Sequence, residues 1–323
     1  MTENRGFTDI HVHCVPRDGG TRFRGWRRLV SAWLATQAGV HGDGKTKARV
    51  YMDRLAQRLR NAPDVRRCVL LALDRGYDRR GEADPRRDGL VVTNADVMAW
   101  CREQPDLFLY GASVHPHRAD ALDALERVAD EGAVLIKLIP NTQGFDPAAS
   151  RHRPYFRKLA ELKLPLLCHT GYELVLPVQK QRWGDVRRLR LALEEGVTVI
   201  AAHAGSTGLL YNGDVPRRLE RMMRRYPNLY GDTAALGLVT RMGALLWWRD
   251  HPEWCDRLLF ATDYPVPVTL NTWRPFLSRS AFRRLHAADN PFEQMVLLLE
   301  GLGIRLARDG FERLLERLGK RPA

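Results

Sequence analysis

The sequence predicts an α/β protein folded as a (β/α)8 TIM barrel with long βα loops and additional C-terminal helices. Short apolar runs rich in β-branched residues alternate with amphipathic stretches, and eight such runs occur along the chain. Alternating strands and helices, with nearly continuous apolar strands, are typical of a parallel sheet covered by helices. Eight units in about 250 residues fit a closed barrel. A doubly wound open sheet is the alternative, but no glycine-rich dinucleotide loop follows the first run.

The eight predicted strands are short and are bounded by turn-forming residues. They cover residues 7–13, 67–72, 107–115, 133–138, 164–169, 197–203, 228–232 and 257–263. Between them, apolar residues recur with helical spacing. These predicted helices cover residues 50–59, 96–103, 121–128, 155–162, 186–193, 215–226 and 240–249.

Three more helices are predicted after the last strand, over residues 272–285, 291–299 and 311–318. We expect them to supply the last barrel helix and to cover its outer wall or its bottom, and a homodimer interface is the alternative that the sequence leaves open. The whole chain, 1–323, is therefore predicted to be one barrel domain. Its barrel strands lie within residues 7–263, and its C-terminal helical segment covers 264–323.

The composition is that of a globular protein with a large core: 323 residues, 45% of them apolar. No apolar run reaches about 18 residues, which argues against a membrane span. The first strand begins too close to Met1 for a signal peptide, and the five cysteines are dispersed. We therefore expect a cytoplasmic protein. The net charge of +13 comes from scattered arginines rather than one basic patch, which argues against nucleic-acid binding.

Side chains that can bind a metal lie at the C-terminal ends of five predicted strands. They are His11 and His13, Lys137, His169, His203 and Asp263. In a parallel barrel all of these strand ends meet at one face, where active sites form. His11 and His13, two apart on one strand, project to the same side.

Each of these residues also has an ordinary structural explanation. Asp263 suits a helix cap or a turn, His203 precedes a turn, and Lys137 can pair with a carboxylate. Six such residues at equivalent points of eight repeats are hard to explain separately. The pattern as a whole therefore favours a metal site.

These motifs are similar to those of the amidohydrolase superfamily, in the amidohydrolase-related branch that includes the ACMSD-like decarboxylases. The similarity covers residues 7 to 265, with the motifs in the family's order. It is carried by Asp9-Ile10-His11-Val12-His13, Ile136-Lys137-Leu138, Leu167-Cys168-His169-Thr170-Gly171, Ala202-His203-Ala204-Gly205 and Ala261-Thr262-Asp263-Tyr264-Pro265.

The resemblance implies that His11, His13 and His169 are metal ligands and that Asp263 is both a ligand and the general base. It makes His203 either a ligand of a second metal or the residue that orients the attacking water. Lys137 would be carboxylated and bridge two metals, or remain unmodified beside a single metal. The ligand types suit one or two divalent ions, with zinc the first choice and manganese or another ion as alternatives.

We expect metal-assisted hydrolysis of an amide, lactone or ester-like bond in a small molecule. The alternatives are a non-oxidative decarboxylase of the ACMSD-like type and a catalytically silent barrel. A TatD-like nuclease is a further alternative, because those relatives also have a His-Pro-His motif like the one formed by His115 and His117. They have a glutamate where this chain has Lys137, which counts against a nuclease.

Substrate specificity is expected in the long βα loops, which build the pocket of a barrel. The loops at residues 14–47 and 74–93 and the loop after the fifth strand are the long ones. Arginine beside the site would favour an anionic substrate. The candidate substrate contacts are His115, Glu173 and Arg75.

Overall fold

The computed structural model describes residues 6–19, 27–38, 44–84, 90–209 and 215–320. Its centre is an eight-stranded sheet in which every strand is parallel to the next one along the chain. The strands are β1 (Phe7–His13), β2 (Val65–Leu71), β3 (Phe108–Ala112), β4 (Leu135–Leu138), β5 (Leu166–Cys168), β6 (Val199–Ala201), β7 (Leu229–Asp232) and β8 (Leu258–Leu259). All eight lie within the predicted strands or within two residues of them.

The sheet closes into a barrel through contacts between β1 and the segment that follows β8. The amide of Ile10 donates to the carbonyl of Phe260 (3.2 Å) and the amide of His13 donates to the carbonyl of Tyr264 (3.0 Å). In return, the amide of Asp263 donates to the carbonyl of His11 (3.0 Å). The predicted TIM barrel is therefore confirmed.

Helices alternate with the strands and cover the sheet, as the apolar spacing predicts. They are α1 (Arg27–Gln37), α2 (Gly44–Arg60), α3 (Asn94–Glu103), α4 (Ala121–Asp130), α5 (Pro140–Gln143), α6 (Arg153–Glu161), α7 (Arg190–Glu194), α8 (Val215–Arg225), α9 (Met242–Asp250), α10 (Arg279–Ala287), α11 (Pro291–Gly301) and α12 (Gly310–Arg317). None of the described helices is both long enough and apolar enough to cross a membrane.

Two predicted helices are divided in the structure. Residues 186–193 form a 3₁₀ turn, Val186–Leu189, followed by α7. Residues 272–285 are split because Pro275 has no backbone N–H to continue a helix. A 3₁₀ turn covers Leu270–Phe276, and the Ser278 hydroxyl then caps α10 by accepting from an amide of its first turn.

The long loops are partly ordered. The first of them contains α1 and the start of α2, and in the second the backbones of Leu73 and Val92 pair across the loop. Residues 20–26, 39–43 and 85–89 of these loops lie outside the described residues.

The core has two layers, one inside the barrel and one between the barrel and its helices. The inner layer is formed by alternate strand residues such as Ile10, Leu135 and Ile200. Helix α12 adds Phe311, Leu314 and Leu315 to this inner layer, so the last helix covers the bottom of the barrel. The bottom of the barrel is thus closed by α12. The carboxyl ends of the strands form the opposite face, where active sites of such barrels lie.

Candidate metal centre

Three of the six predicted ligands form a compact group at the carboxyl ends of the strands. The side-chain ligand atoms of His11, His13 and Asp263 all lie within 4.8 Å of one another. One carboxylate oxygen, Oδ1 of Asp263, is 2.9 Å from His13 Nε2 and 3.3 Å from His11 Nε2. The barrel closure described above brings together these residues from the two ends of the barrel sequence.

Asp263 has a left-handed backbone conformation, with φ of 66°. Among residues other than glycine, aspartate is one of those that adopt this region most readily. The amide of Asp263 donates to the carbonyl of His11, so this left-handed residue lies directly beside β1. Rare backbone conformations concentrate at functional sites, where the surrounding structure maintains them.

Asp232, at the end of β7, fixes the ring of His11. Its Oδ2 is 2.9 Å from His11 Nδ1, and its Oδ1 accepts from the backbone amide of His203 (2.6 Å). Donation from Nδ1 to this carboxylate leaves the lone pair of His11 on Nε2, which faces the group. A carboxylate in this position behind a histidine is typical of metal sites.

His169 and His203 form a second, connected part of the site. His203 Nδ1 lies 3.0 Å from the carbonyl oxygen of Ala234, and His203 Nε2 lies 3.1 Å from His169 Nδ1. A carbonyl can only accept, so His203 donates from Nδ1 and accepts at Nε2. His169 must then donate from Nδ1, which leaves the lone pair of His169 on Nε2.

His169 Nε2 is buried and has no hydrogen-bond partner among the described residues. A buried unsatisfied nitrogen with a free lone pair calls for an explanation, and a bound ion is one. Burial lowers the pKa of His11, His169 and His203 well below the usual value, so the rings are neutral, as metal ligation requires. The residues present therefore fit a divalent metal.

Lys137 is buried inside the same group. Its Nζ lies 2.7 Å from His11 Nε2, and burial lowers its pKa to about 8. Burial would by itself raise the pKa of Asp263, but His11, His13 and Lys137 hold it below the usual value. Asp263 is therefore an ionised carboxylate surrounded by nitrogen groups.

A cavity of about 350 Å³ opens from this group toward solvent. Glu173 belongs to its lining, and Glu173 Oε2 is 3.9 Å from His169 Nδ1. The other oxygen of Glu173 accepts from the amides of Val175 (2.6 Å) and Leu176 (2.8 Å), which fixes the loop after β5 against the site. A mostly apolar cavity with a few converging polar groups is typical of a small-molecule site.

Residues 8–283 match the family model of the amidohydrolases, Amidohydro_2. The chain belongs to the amidohydrolase family. The match covers all eight barrel strands except Phe7, the first residue of β1, and it covers all six predicted ligands. This agrees with the resemblance on which the ligand set was predicted.

Solved structures similar to this amidohydrolase share its fold at low sequence identity. A protein described as a probable 2-pyrone-4,6-dicarboxylic acid hydrolase from Acinetobacter baumannii is 11% identical, with a TM-score of 0.60, over 97% of this chain and 99% of that chain. The 2,6-dihydroxybenzoate decarboxylase from Rhizobium is 17% identical, with a TM-score of 0.56, over 97% and 98%.

A third structure is the 5-carboxyvanillate decarboxylase from Novosphingobium aromaticivorans, solved in complex with manganese. It is 14% identical, with a TM-score of 0.52, over 97% of both chains. Comparison with curated proteins gives no match to this amidohydrolase.

Two of the predicted substrate contacts lie apart from the cavity. His115 is fully buried, and its Nε2 is 2.9 Å from the carbonyl oxygen of Gln143, among the rings of Tyr77, His117 and Phe145. Arg75 is exposed, and neither residue is part of the cavity lining. The structure therefore brings Glu173, but not His115 or Arg75, to the candidate metal centre.

Two residues of the site were missed by the sequence analysis. Asp232 is the last residue of a predicted strand, and this position at the carboxyl end of a barrel strand could have identified it as a site residue. Arg241 had no such signal, because it starts a predicted surface helix. In the structure Arg241 is 7% exposed and belongs to the cavity lining.

Proposed function

We propose that this amidohydrolase is a metal-dependent hydrolase that cleaves an amide, lactone or ester-like bond of a small anionic substrate. The observation that carries the proposal is the convergence of His11, His13 and Asp263 within 4.8 Å at the mouth of a barrel. His169 Nε2, which is buried and unpartnered among the described residues, supports it as a further ligand.

The ion would be held by His11, His13, His169 and Asp263. When bound, it supplies Lewis-acid activation of water and of the substrate carbonyl. The nitrogen and carboxylate donors suit zinc or manganese, with zinc preferred in this proposal. Asp232 keeps the Nε2 lone pair of His11 directed at the site, and His203 does the same for His169.

Asp263 is assigned the role of general base. Its ionised carboxylate takes the proton of the attacking water and passes it to the leaving group. His203 is assigned a positioning role, because one of its ring nitrogens faces the carbonyl of Ala234 and the other faces His169. Neither nitrogen is free to relay a proton while these bonds hold.

Decarboxylation is the second candidate, and it rests on Arg241, which can bind the carboxylate of an acid substrate in either reaction. A buried guanidinium in the cavity lining suits a carboxylate that leaves as carbon dioxide as well as a carboxylate that is only bound. The decarboxylases among the similar structures make this candidate equal in standing to hydrolysis. The compartment is proposed to be the cytoplasm, as the sequence predicts.

Metal analysis and two substrate panels test the proposal. Purified protein is treated with a chelator, reloaded with zinc or manganese, and supplied with lactones, esters and amides, and separately with carboxyl-labelled aromatic acids. We expect hydrolysis that chelation abolishes and metal restores. Hydrolysis that continues in full after the metal is removed would refute the proposal, and release of labelled carbon dioxide would select the decarboxylase.

Matched histidine variants locate the metal. His13→Gln removes a proposed ligand, whereas His286→Gln alters an exposed histidine in α10. We expect metal content to fall only in the first variant. One equivalent of metal in the native protein supports a single ion, and two equivalents support a bridging carboxylated Lys137.

A further inference from the structure

Among the described residues, no buried anion pairs with the buried cation of Arg241. Its Nη1 donates to Ser206 Oγ (2.6 Å) and faces the carbonyl of Ser206 (3.4 Å). Within the part of the chain that the structure describes, no carboxylate oxygen lies within 4.0 Å of the guanidinium. Burying an ion without a partner costs several kcal/mol, so the protein retains this charge at an energetic cost.

The backbone leaves space for the guanidinium at a specific glycine. Gly208 has φ of +81°, and a Cβ built on it would lie 3.0 Å from Arg241 Nη2 and 3.2 Å from Arg241 Cζ. Ser206 and Gly208 belong to the loop after β6, whereas Arg241 lies two elements later. The site for this arginine is therefore built by a second loop rather than by its own helix.

The acidic residues nearby act on Arg241 only at a distance. The charges of Asp263, Glu173 and Asp232 favour its charged form, against the burial that lowers its pKa. Asp232 is 2.9 Å from His11, and the Oε1 atom of Glu173 is already engaged by backbone amides. The guanidinium is thus left for a ligand, and its planar fork matches a carboxylate.

Another part of the cavity wall is entirely apolar. Leu73, Ile139 and Leu176 form a small hydrophobic cluster of their own, with Leu90 packed against it. All four line the cavity, together with Val92. Of the lysines in the lining, Lys47 is exposed and Lys137 is engaged with His11, so neither offers a second buried cation to a ligand.

We infer that the substrate is an acid with one anionic group, held by Arg241, and a compact apolar body packed against Leu73, Ile139 and Leu176. This inference deepens the proposed function and rests on it for the reaction, but the binding itself needs neither metal nor turnover. A second charged group would have to enter the apolar part of the wall without a partner, which is costly.

Calorimetric binding of simple acids to the chelated protein tests the inference independently of catalysis. The probes are straight-chain monocarboxylates of increasing length, and dicarboxylates of matched length. We expect affinity to rise about fourfold for each added CH₂ until the cavity is full. We expect each dicarboxylate to bind at least tenfold more weakly than the monocarboxylate of equal length.

Three variants test whether Arg241 binds the carboxylate and whether the apolar cluster binds the hydrocarbon chain. Arg241→Met should weaken all monocarboxylates at least tenfold, and Arg241→Lys should weaken them less because it keeps the charge but loses the fork. Leu176→Asn should flatten the dependence on chain length. Arg249→Met, which removes an arginine paired with Asp250 outside the cavity lining, is the control and should change nothing.

An affinity that does not depend on chain length, or that survives Arg241→Lys and Arg241→Met unchanged, overturns the inference. If Arg241→Met fails to fold, the chain-length series with the native protein and Arg241→Lys still decides the question. Tight binding of monocarboxylates by a protein that hydrolyses nothing would refute the proposed function while leaving this inference standing.

Discussion

The buried histidines His11 and His203 are oriented by hydrogen bonds at their Nδ1 atoms. Asp232 engages Nδ1 of His11, and the carbonyl of Ala234 engages Nδ1 of His203. Each bond selects one tautomer and sets which nitrogen keeps its lone pair. These contacts, rather than the presence of histidine alone, make His11 and His169 suitable ligands.

A separate group of rings contains a histidine that is neutral in the folded protein. His152 stacks on His117 with ring centroids 5.1 Å apart and contacts Phe145 edge-on at 5.6 Å. Burial lowers the pKa of His152 to about 3. The unfolded chain binds this proton near pH 6.5, so stability should fall as the pH decreases from about 6.5 toward 3.

We predict that His152→Phe reduces this acid sensitivity, because a phenyl ring keeps the packing and has no proton to gain. The loss of unfolding free energy between pH 7 and pH 5, measured by urea denaturation, should be smaller in the variant by up to about 2 kcal/mol. His286→Phe, at an exposed position, is the control and should behave as the native protein does. Equal losses in His152→Phe and the native protein would contradict the prediction.

Among the elements, the loops after β5 and β6 are held against each other at Gly171. The amide of Tyr172, in the loop after β5, donates to the carbonyl of Thr207, in the loop after β6 (2.7 Å), and the amide of Gly171 donates to the carbonyl of Gly184 within the loop after β5 (2.8 Å). Gly171 has φ of +88°, and a Cβ there would lie 2.1 Å from the carbonyl oxygen of Ser206. These two loops carry Glu173 and the partner of Arg241.

We predict that Gly171→Ala destabilises the protein more than Gly132→Ala does. Gly132 has φ of +89°, but a Cβ there meets nothing within 4 Å, so its substitution adds only backbone strain of about 1–3 kcal/mol. Gly171→Ala adds a clash with backbone to the same strain. Urea denaturation of both variants measures the difference in unfolding free energy. Equal values would contradict the prediction, because they would show that the loops after β5 and β6 move apart without loss of stability.

The sequence predicts helices and strands well where apolar residues recur with a regular period. It predicts the candidate metal centre well where the barrel topology brings strand ends together. His11, Lys137, His169, His203 and Asp263 each lie at or near the carboxyl end of a predicted strand, so a closed barrel brings them to one face. Arg241 could not be found in this way, because its direction depends on Ser206 and Gly208 in a loop more than 30 residues earlier. His115 also lies at the end of a predicted strand, yet its ring packs outside the cavity.

For the molecule as a whole, helix α12 is an integral part of the barrel rather than an appendage. Phe311, Leu314 and Leu315 are buried in the inner core layer, and Glu312 accepts from the hydroxyl of Thr8 in the first strand (2.5 Å). Thus the end of the described chain is packed beneath its beginning.

We predict that Leu315→Ala lowers the unfolding free energy by about 2–5 kcal/mol, as expected for a large side chain removed from a packed core. Leu315 is fully buried, whereas Leu122 in α4 is 39% exposed. Leu122→Ala is therefore the matched control, with an expected cost well below that of Leu315→Ala. Similar denaturation midpoints for the two variants would show that α12 does not contribute to the barrel core.

The closure of β1 on the segment after β8 also has a consequence for when the proposed metal site forms during synthesis. His13 leaves the ribosome early, but Asp263, its neighbour at 2.9 Å, is separated from it by 250 positions along the chain. A nascent chain therefore presents the proposed ligands His11, His13 and His169 long before it can present Asp263. The proposed ligand set is complete only when nearly all of the barrel has been translated, so the proposed ion would be loaded late.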